Sequence, residues 1–158
     1  MSQINETLKS QGEIDIDICH ADGSKETRIV RNAVLQKGRL ALVKCLAGEV
    51  ADGFDLYVSR MLFGTNGTVD GQPKYVQSSR EGLFGSTLVS KNVIATVNPD
   101  LTQAVFTSVL TYGDANGQNL NEMALRLNNG DIYSMATFPD LNKTSSIQIT
   151  FNWRITIL

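Results

Sequence analysis

The segment Ile147–Ile157 constrains the fold more than any other part of this chain. Ile147, Ile149, Phe151, Trp153, Ile155 and Ile157 alternate strictly with Gln148, Thr150, Asn152, Arg154 and Thr156. Successive side chains on a strand point to opposite faces, so this period of two predicts a long strand with one apolar and one polar face. Chain ends ordinarily fray. Here the end carries the strongest pattern in the sequence, which implies that the last strand closes a core.

The rest of the second half is strand-like as well. Residues 88–97 read as one strand ended by Asn98-Pro99-Asp100, residues 104–112 as the next, and residues 120–127 as a third after a turn at 113–117. Asn128-Asn129-Gly130-Asp131 predicts a hairpin turn, because Asn and Gly tolerate positive φ, and residues 132–138 pair back. Residues 139–146 then connect to the final strand. Short strands with turn signals about every 10 residues point to an antiparallel sandwich or barrel. The expected class is mainly β, a jelly-roll-like antiparallel β-sandwich.

The first half adds a hairpin and a helix. Ile14, Ile16 and Ile18 alternate with Glu13, Asp15 and Asp17, and the turn at 21–24 returns the chain as a strand over 25–30. From residue 33 to residue 47 the period changes, and Leu35, Leu42, Val43 and Leu46 fall on one face of a predicted helix. Asn32 is its expected N-cap and Gly48 its left-handed end. Gly38 inside that helix costs about 1 kcal/mol relative to alanine, which predicts close approach of another backbone, the sheet. Residues 56–63 read as a short apolar strand. The loop at 64–71, with three glycines, Asn66 and Asp70, is expected to be exposed, and residues 73–84 form an irregular excursion with at most one helical turn.

A chain of 158 residues fits one domain, with residues 1–12 as a polar N-terminal arm. The formal charge of −2 and scattered basic residues argue against a nucleic-acid partner. No basic segment followed by an apolar run opens the chain, and no apolar span approaches the roughly 20 residues of a membrane helix. The expectation is a soluble protein made in the cytoplasm. Cys19 and Cys45 belong to no C-x-x-C pair and read as small core residues.

No cofactor, metal or catalytic pattern stands out. Asp114-Ala-Asn-Gly117 with Glu122 fails the spacing of a calcium loop, whose glycine is sixth and glutamate twelfth. A hairpin turn explains those residues. His20 is the single histidine, which excludes a multi-histidine zinc site within one chain. Asp52, Asp55, Asp70, Asp100, Asp114, Asp131 and Asp140 stand mostly beside Gly, Asn or Pro, where aspartate stabilises turns. Gly64-Thr-Asn-Gly67 lacks the lysine of a phosphate loop. Glu122 and Lys143 stand in apolar or turn surroundings, which predicts an ion pair or hydrogen bonds to backbone, with a tuned catalytic acid the less favoured reading.

Two longer segments resemble a known group. Asn32-Ala-Val-Leu-Gln-Lys-Gly-Arg-Leu-Ala-Leu-Val-Lys-Cys-Leu-Ala-Gly48, followed by Met61-Leu-Phe-Gly-Thr65, resembles the opening of a group of tailed-bacteriophage virion proteins. Asn116-Gly117, Asn121-Glu-Met-Ala-Leu125, Asn129-Gly130, the corner from Phe138-Pro139 to Lys143-Thr144 and the terminal Ile-x-Phe-x-Trp-x-Ile resemble tail-collar, fibre-base and head-appendage domains. The likeness covers most of residues 32–158. Where those proteins carry Glu-Ile-Gly-Leu, this chain has Glu122-Met-Ala-Leu125, keeping the acid and losing the glycine.

The resemblance implies a non-enzymatic β-sandwich building block of the virion, in the collar or neck or in the fibre base or baseplate of the tail. It implies a symmetric homo-oligomer docked to other virion proteins, with no cofactor. A capsid decoration protein is the alternative placement. A carbohydrate- or receptor-binding module is another, with a host-surface glycan stacked on Trp153 or Tyr112, although the register of Trp153 favours the core. The candidate structural and interface residues are Glu122, Lys143 and the polar face Gln148, Thr150, Asn152 and Arg154.

Overall fold

The computed structural model describes residues 9–49 and 56–158. Twelve strands and one helix follow in order: β1 (Ser10–His20), β2 (Lys25–Arg31), β3 (Ala33–Val34), α1 (Gln36–Leu46), β4 (Val58–Gly64), β5 (Thr68–Val69) and β6 (Gln72–Pro73), then β7 (Val89–Asn92), β8 (Ile94–Asn98), β9 (Gln103–Leu110), β10 (Gln118–Leu127), β11 (Ile132–Lys143) and β12 (Ile147–Ile157). The chain is mainly β: of the described residues, 56% are in strands and 10% are helical. Two five-stranded antiparallel sheets, β2-β1-β12-β9-β8 and β3-β11-β10-β4-β7, face each other as a β-sandwich, and β5-β6 forms a small ribbon.

The alternating segments supply the inner faces. β1 and β12 pair over eleven positions, Ser10 with Ile157 through His20 with Ile147. This register places Ile14, Ile16 and Ile18 on the same face as Ile149, Phe151, Trp153 and Ile155, all buried. The second sheet contributes Met61, Phe63, Met123, Leu125 and Phe138 to the same core. Phe63 and Phe151 meet across the gap with ring centroids 4.6 Å apart. Fully burying a side chain of this size contributes about 1.5–3 kcal/mol.

Residues expected as one strand at 88–97 split between the sheets. β7 pairs with β4 and β8 with β9, so the chain crosses from one layer to the other at Val93, which packs against the core. The Ser108 hydroxyl donates to the Asn92 carbonyl at 2.6 Å and secures the crossing. A period of two carries no information about which sheet a strand joins. The residues expected to connect at 139–146 also behave differently, because β11 runs through Pro139 to Lys143.

The helix is shorter than expected and differently capped. Ala33–Val34 pairs with β11 instead of starting a helix, and Leu35 occupies the cap with no side-chain hydrogen bond. Asn32 is therefore not the cap. The Leu35 N–H donates to the Tyr133 carbonyl and the Gln36 N–H to the Ser78 carbonyl, so tertiary partners satisfy the helix start. Gly48 does end the helix region with φ +68°. Of the expected apolar face only Leu35 is buried; Leu42, Val43 and Leu46 are exposed, and α1 buries Gly38 and Ala41 against β11.

Cysteine placement also departs from expectation. Cys45 is exposed, one turn beyond Ala41 toward the open end of α1, and Cys19 is half-buried on the polar face of β1 opposite Gln148. Of the expected N-terminal arm, Ser10, Gln11 and Gly12 belong to β1, and residues 1–8 lie outside the described residues. Asp52 and Asp55 lie outside them as well.

Gly38 seats α1 on the sheet. A β-carbon there would stand 2.9 Å from the Tyr133 Cα and closer still to its carbonyl oxygen. Gly38→Ala improves intrinsic helix propensity by about 1 kcal/mol, yet is expected to lower stability by about 1–3 kcal/mol through overpacking. Thermal unfolding of the variant checks this, since an unchanged or raised Tm contradicts the close approach.

Candidate functional site

The most densely organised polar site lies on β10, where the pairing with β11 slips. Leu120 pairs with Leu141 but Glu122 with Thr137, so the register shifts at Asn121. On β11 the chain bulges through Pro139, whose ring nitrogen has no hydrogen to donate to the ladder. Asn121 and Glu122 are both buried there.

The Glu122 carboxylate acts as an acceptor for main-chain amides of two loops. Its Oε1 accepts from Asn66 N–H at 3.1 Å and Gly85 N–H at 3.2 Å, and its Oε2 accepts from Phe84 N–H at 2.7 Å. Asn121 extends the clamp. Its Oδ1 accepts from Gly67 N–H at 2.6 Å, while Nδ2 donates to Asp140 Oδ1 at 2.9 Å and to Thr65 O and Thr68 Oγ1, each at 3.1 Å. Those hydrogen bonds from Asn121, then Thr68, hold the Asp140 carboxyl below the usual carboxylate range.

The loop at 64–71 is thus drawn onto the sheet rather than left exposed. Gly64 and Gly67 are buried, while Asn66 and the tip residues Val69, Asp70 and Gly71 face solvent. A β-carbon on Gly67 would stand 2.8 Å from the Asn121 carbonyl carbon. Glycine is required here for space. The excursion at 74–88 covers the outer face of the same sheet, where Val76, Leu83 and Phe84 pack over Leu62, Ala124, Ile132 and Met135. The Arg80 guanidinium stacks 3.7 Å from the Phe84 ring centroid and donates to the Gly82 and Leu83 carbonyls.

Lys143 lies in a separate place and does not pair with Glu122. It is fully buried opposite Gln118, and its Nζ donates to Asn116 Oδ1 at 2.9 Å and to the Thr144 carbonyl at 3.0 Å. Burial pushes its ammonium below the usual lysine range, and the Asp114 carboxylate opposes this in part. Asp114 itself accepts from Lys91 at 2.7 Å and from the Thr111 amide and hydroxyl. The Lys91 contact is the main cause of a carboxyl held below its ordinary value. These residues close the turn that the sequence assigned to 113–117.

The polar face of β12 forms a lattice with its neighbours. Arg154 binds both Asp15 and Glu13, the latter at 2.7 Å, and the Asp15 carboxylate first, then Glu13, holds the guanidinium charged despite partial burial. Asn152 accepts from the Thr107 hydroxyl at 2.8 Å and donates to Asp17, which also accepts from Thr27 at 2.8 Å. Four strands are linked in this way. Gln148 and Thr150 lie half-buried on the same face, opposite Cys19 and Asp17.

Asn121 carries as much of the loop clamp as Glu122, and the sequence reading did not single it out. The available signal was local: within residues 120–127 the alternation breaks at Asn121-Glu122, two consecutive polar residues of the kind a bulge accommodates. The acids Glu13 and Asp15 likewise called for a cation on a neighbouring strand; Arg31 of β2 and Arg154 of β12 both pair with Glu13, and Arg154 is the one that bonds both acids. Trp153 is fully buried, whereas Tyr112 is 40% exposed.

Chemically, both oxygens of Glu122 are engaged by main-chain donors inside the fold, so the carboxylate holds two loops together. Glu122→Ala leaves three amides without their acceptor and is expected to lower stability by about 3 kcal/mol or more. Denaturant unfolding reads this directly, and a loss below about 1 kcal/mol contradicts the clamp. Asp114 has a depressed folded-state pKa, so its stabilisation is present above the unfolded value and is lost as pH falls through the folded one. The Tm gap between wild type and Asp114→Asn is therefore expected to narrow in acid, and a gap constant across that range contradicts it.

Comparison of the chain with protein-family models, with curated proteins and with solved structures finds no match.

Proposed function

We propose that this chain is a non-enzymatic structural subunit of a bacteriophage virion, from the collar or neck or from the fibre base or baseplate of the tail. It acts by self-assembly and by docking to other virion proteins. The observation that supports this reading is where the polar residues of the resemblance, and Arg154 of the β12 polar face, are used. Asn121 and Glu122 tie down two loops, Asn116 and Lys143 close a turn, and Arg154 bridges two strands. Each is bound to this chain's own backbone or side chains, as in a building block whose surface, more than a reaction centre, carries the work.

The glycan-binding alternative draws less support. Trp153 is buried in the core, so sugar stacking would fall to Tyr112 at the end of β9. Capsid decoration fits the same fold and differs in placement on the particle.

Mass spectrometry of purified phage particles, with imaging of particles labelled on this chain, tests the proposal. The expected result is the chain in every particle, in several copies at a symmetric ring of the neck or tail. Absence from particles contradicts the proposal. A change in fluorescence on adding host-surface glycans would favour the binding module instead.

A further inference from the structure

The two open edges of the first sheet are built differently. The edge strand β2 reads Lys-Glu-Thr-Arg-Ile-Val-Arg, with four charged side chains that discourage addition of another strand. The opposite edge, β8, reads Ile-Ala-Thr-Val-Asn and carries neither charge nor proline. Its five residues pair with β9 without a bulge, and its other side has no strand partner among the described residues. All five are exposed, Ile94 by 73% and Val97 by 71%. An uncharged, regular edge that exposes Ile94 and Val97 is a template for strand pairing.

The sequence of β8 fits a second copy of itself. In an antiparallel pairing centred on Thr96, Thr96 faces Thr96, Ala95 faces Val97 and Ile94 faces Asn98 of the partner. A small residue meets a branched one on the inward face, and threonines meet on the outer face, a favourable cross-strand combination. No like charges are opposed. Stacking β2 of one copy on β8 of another would instead set Lys25, Glu26, Arg28 and Arg31 against an apolar strand. Beside Val97 the apolar surface continues into a groove of about 370 Å³ lined by Leu42, Ala104, Tyr133, Ile155 and Ile157. The edge is thus continuous with further apolar surface at the α1 end of the sandwich.

We infer that β8 is the self-association edge of this protein, two copies pairing antiparallel through Ile94–Asn98 about a two-fold axis at Thr96. Such an isologous contact closes at two chains and joins their five-stranded sheets into one. The inference deepens the self-assembly part of the proposed function and is independent of the virion setting.

Light scattering of the full chain and of an Ile94→Lys, Val97→Lys double variant tests it, with Ile29→Lys on β2 as the control. The wild type and the control are expected at the mass of two chains, and the double variant at half that mass with an unchanged circular-dichroism spectrum. A single-chain mass for the wild type at its highest soluble concentration, or a two-chain mass for the double variant, overturns the inference. Hydrogen exchange on the wild type needs no variant: amides in Ile94–Asn98 should gain protection as concentration rises, and concentration-independent exchange there overturns it. A chain found in particles that pairs through another surface loses the β8 assignment and keeps the virion reading. A chain that pairs through β8 and is absent from particles does the reverse.

Discussion

The pairing of β1 with β12 is the constraint on which the rest of the structure depends. Eleven consecutive positions join segments from opposite ends of the chain, and one register aligns two isoleucine-rich faces. A slip of one residue would turn Ile14, Ile16 and Ile18 to solvent and Glu13, Asp15 and Asp17 into the core. The polar side guards the same register, because Arg154 reaches Asp15 and Glu13 only when the strands are aligned as they are. Apolar burial supplies most of the stabilisation, and the ion pairs on the outer face select the alignment. Because these partners are more than a hundred residues apart, the contact is formed against a large loop-closure entropy.

The second sheet is organised by buried polar groups. An irregular loop and a long excursion must lie against its outer face, and their amides lose water when they do so. Glu122 and Asn121 provide acceptors at the place where the register shifts. Buried amides left without acceptors each cost about 1–3 kcal/mol, so a carboxylate that serves three of them offsets its own desolvation. Lys143 is the complementary case, a buried cation held by carbonyl oxygens at the turn before β10. Two chemically reactive side chains are thereby used as structural connectors.

Much of this was legible from particular residues. The alternation in 13–19 and 147–157, the Asn128–Asp131 hairpin and the left-handed Gly48 follow from local stereochemistry and are found where expected. Gly38 announced a close approach, and Tyr133 is the neighbour that makes it. The helix cap was misassigned because Asn32 has the right chemistry for a cap, while the Tyr133 and Ser78 carbonyls that satisfy the helix start belong to distant segments. Leu42, Val43 and Leu46 have helical spacing but stand exposed, since periodicity gives a face and not the surface that covers it.

By itself, the sequence determined the strand content, the inward and outward faces of each strand and most turns, because these depend on side-chain period and on the φ preferences of Gly and Asn. Only the tertiary structure decided that residues 88–97 divide between two sheets, that the glycine loop folds down onto Asn121 and Glu122, and that Lys143 is buried apart from Glu122. It also decided which sheet edge carries charge and which does not, a contrast that exists only once strand order is known. These outcomes rest on contacts between segments far apart in the chain. Local periodicity fixes the face of a strand but leaves its neighbour unspecified.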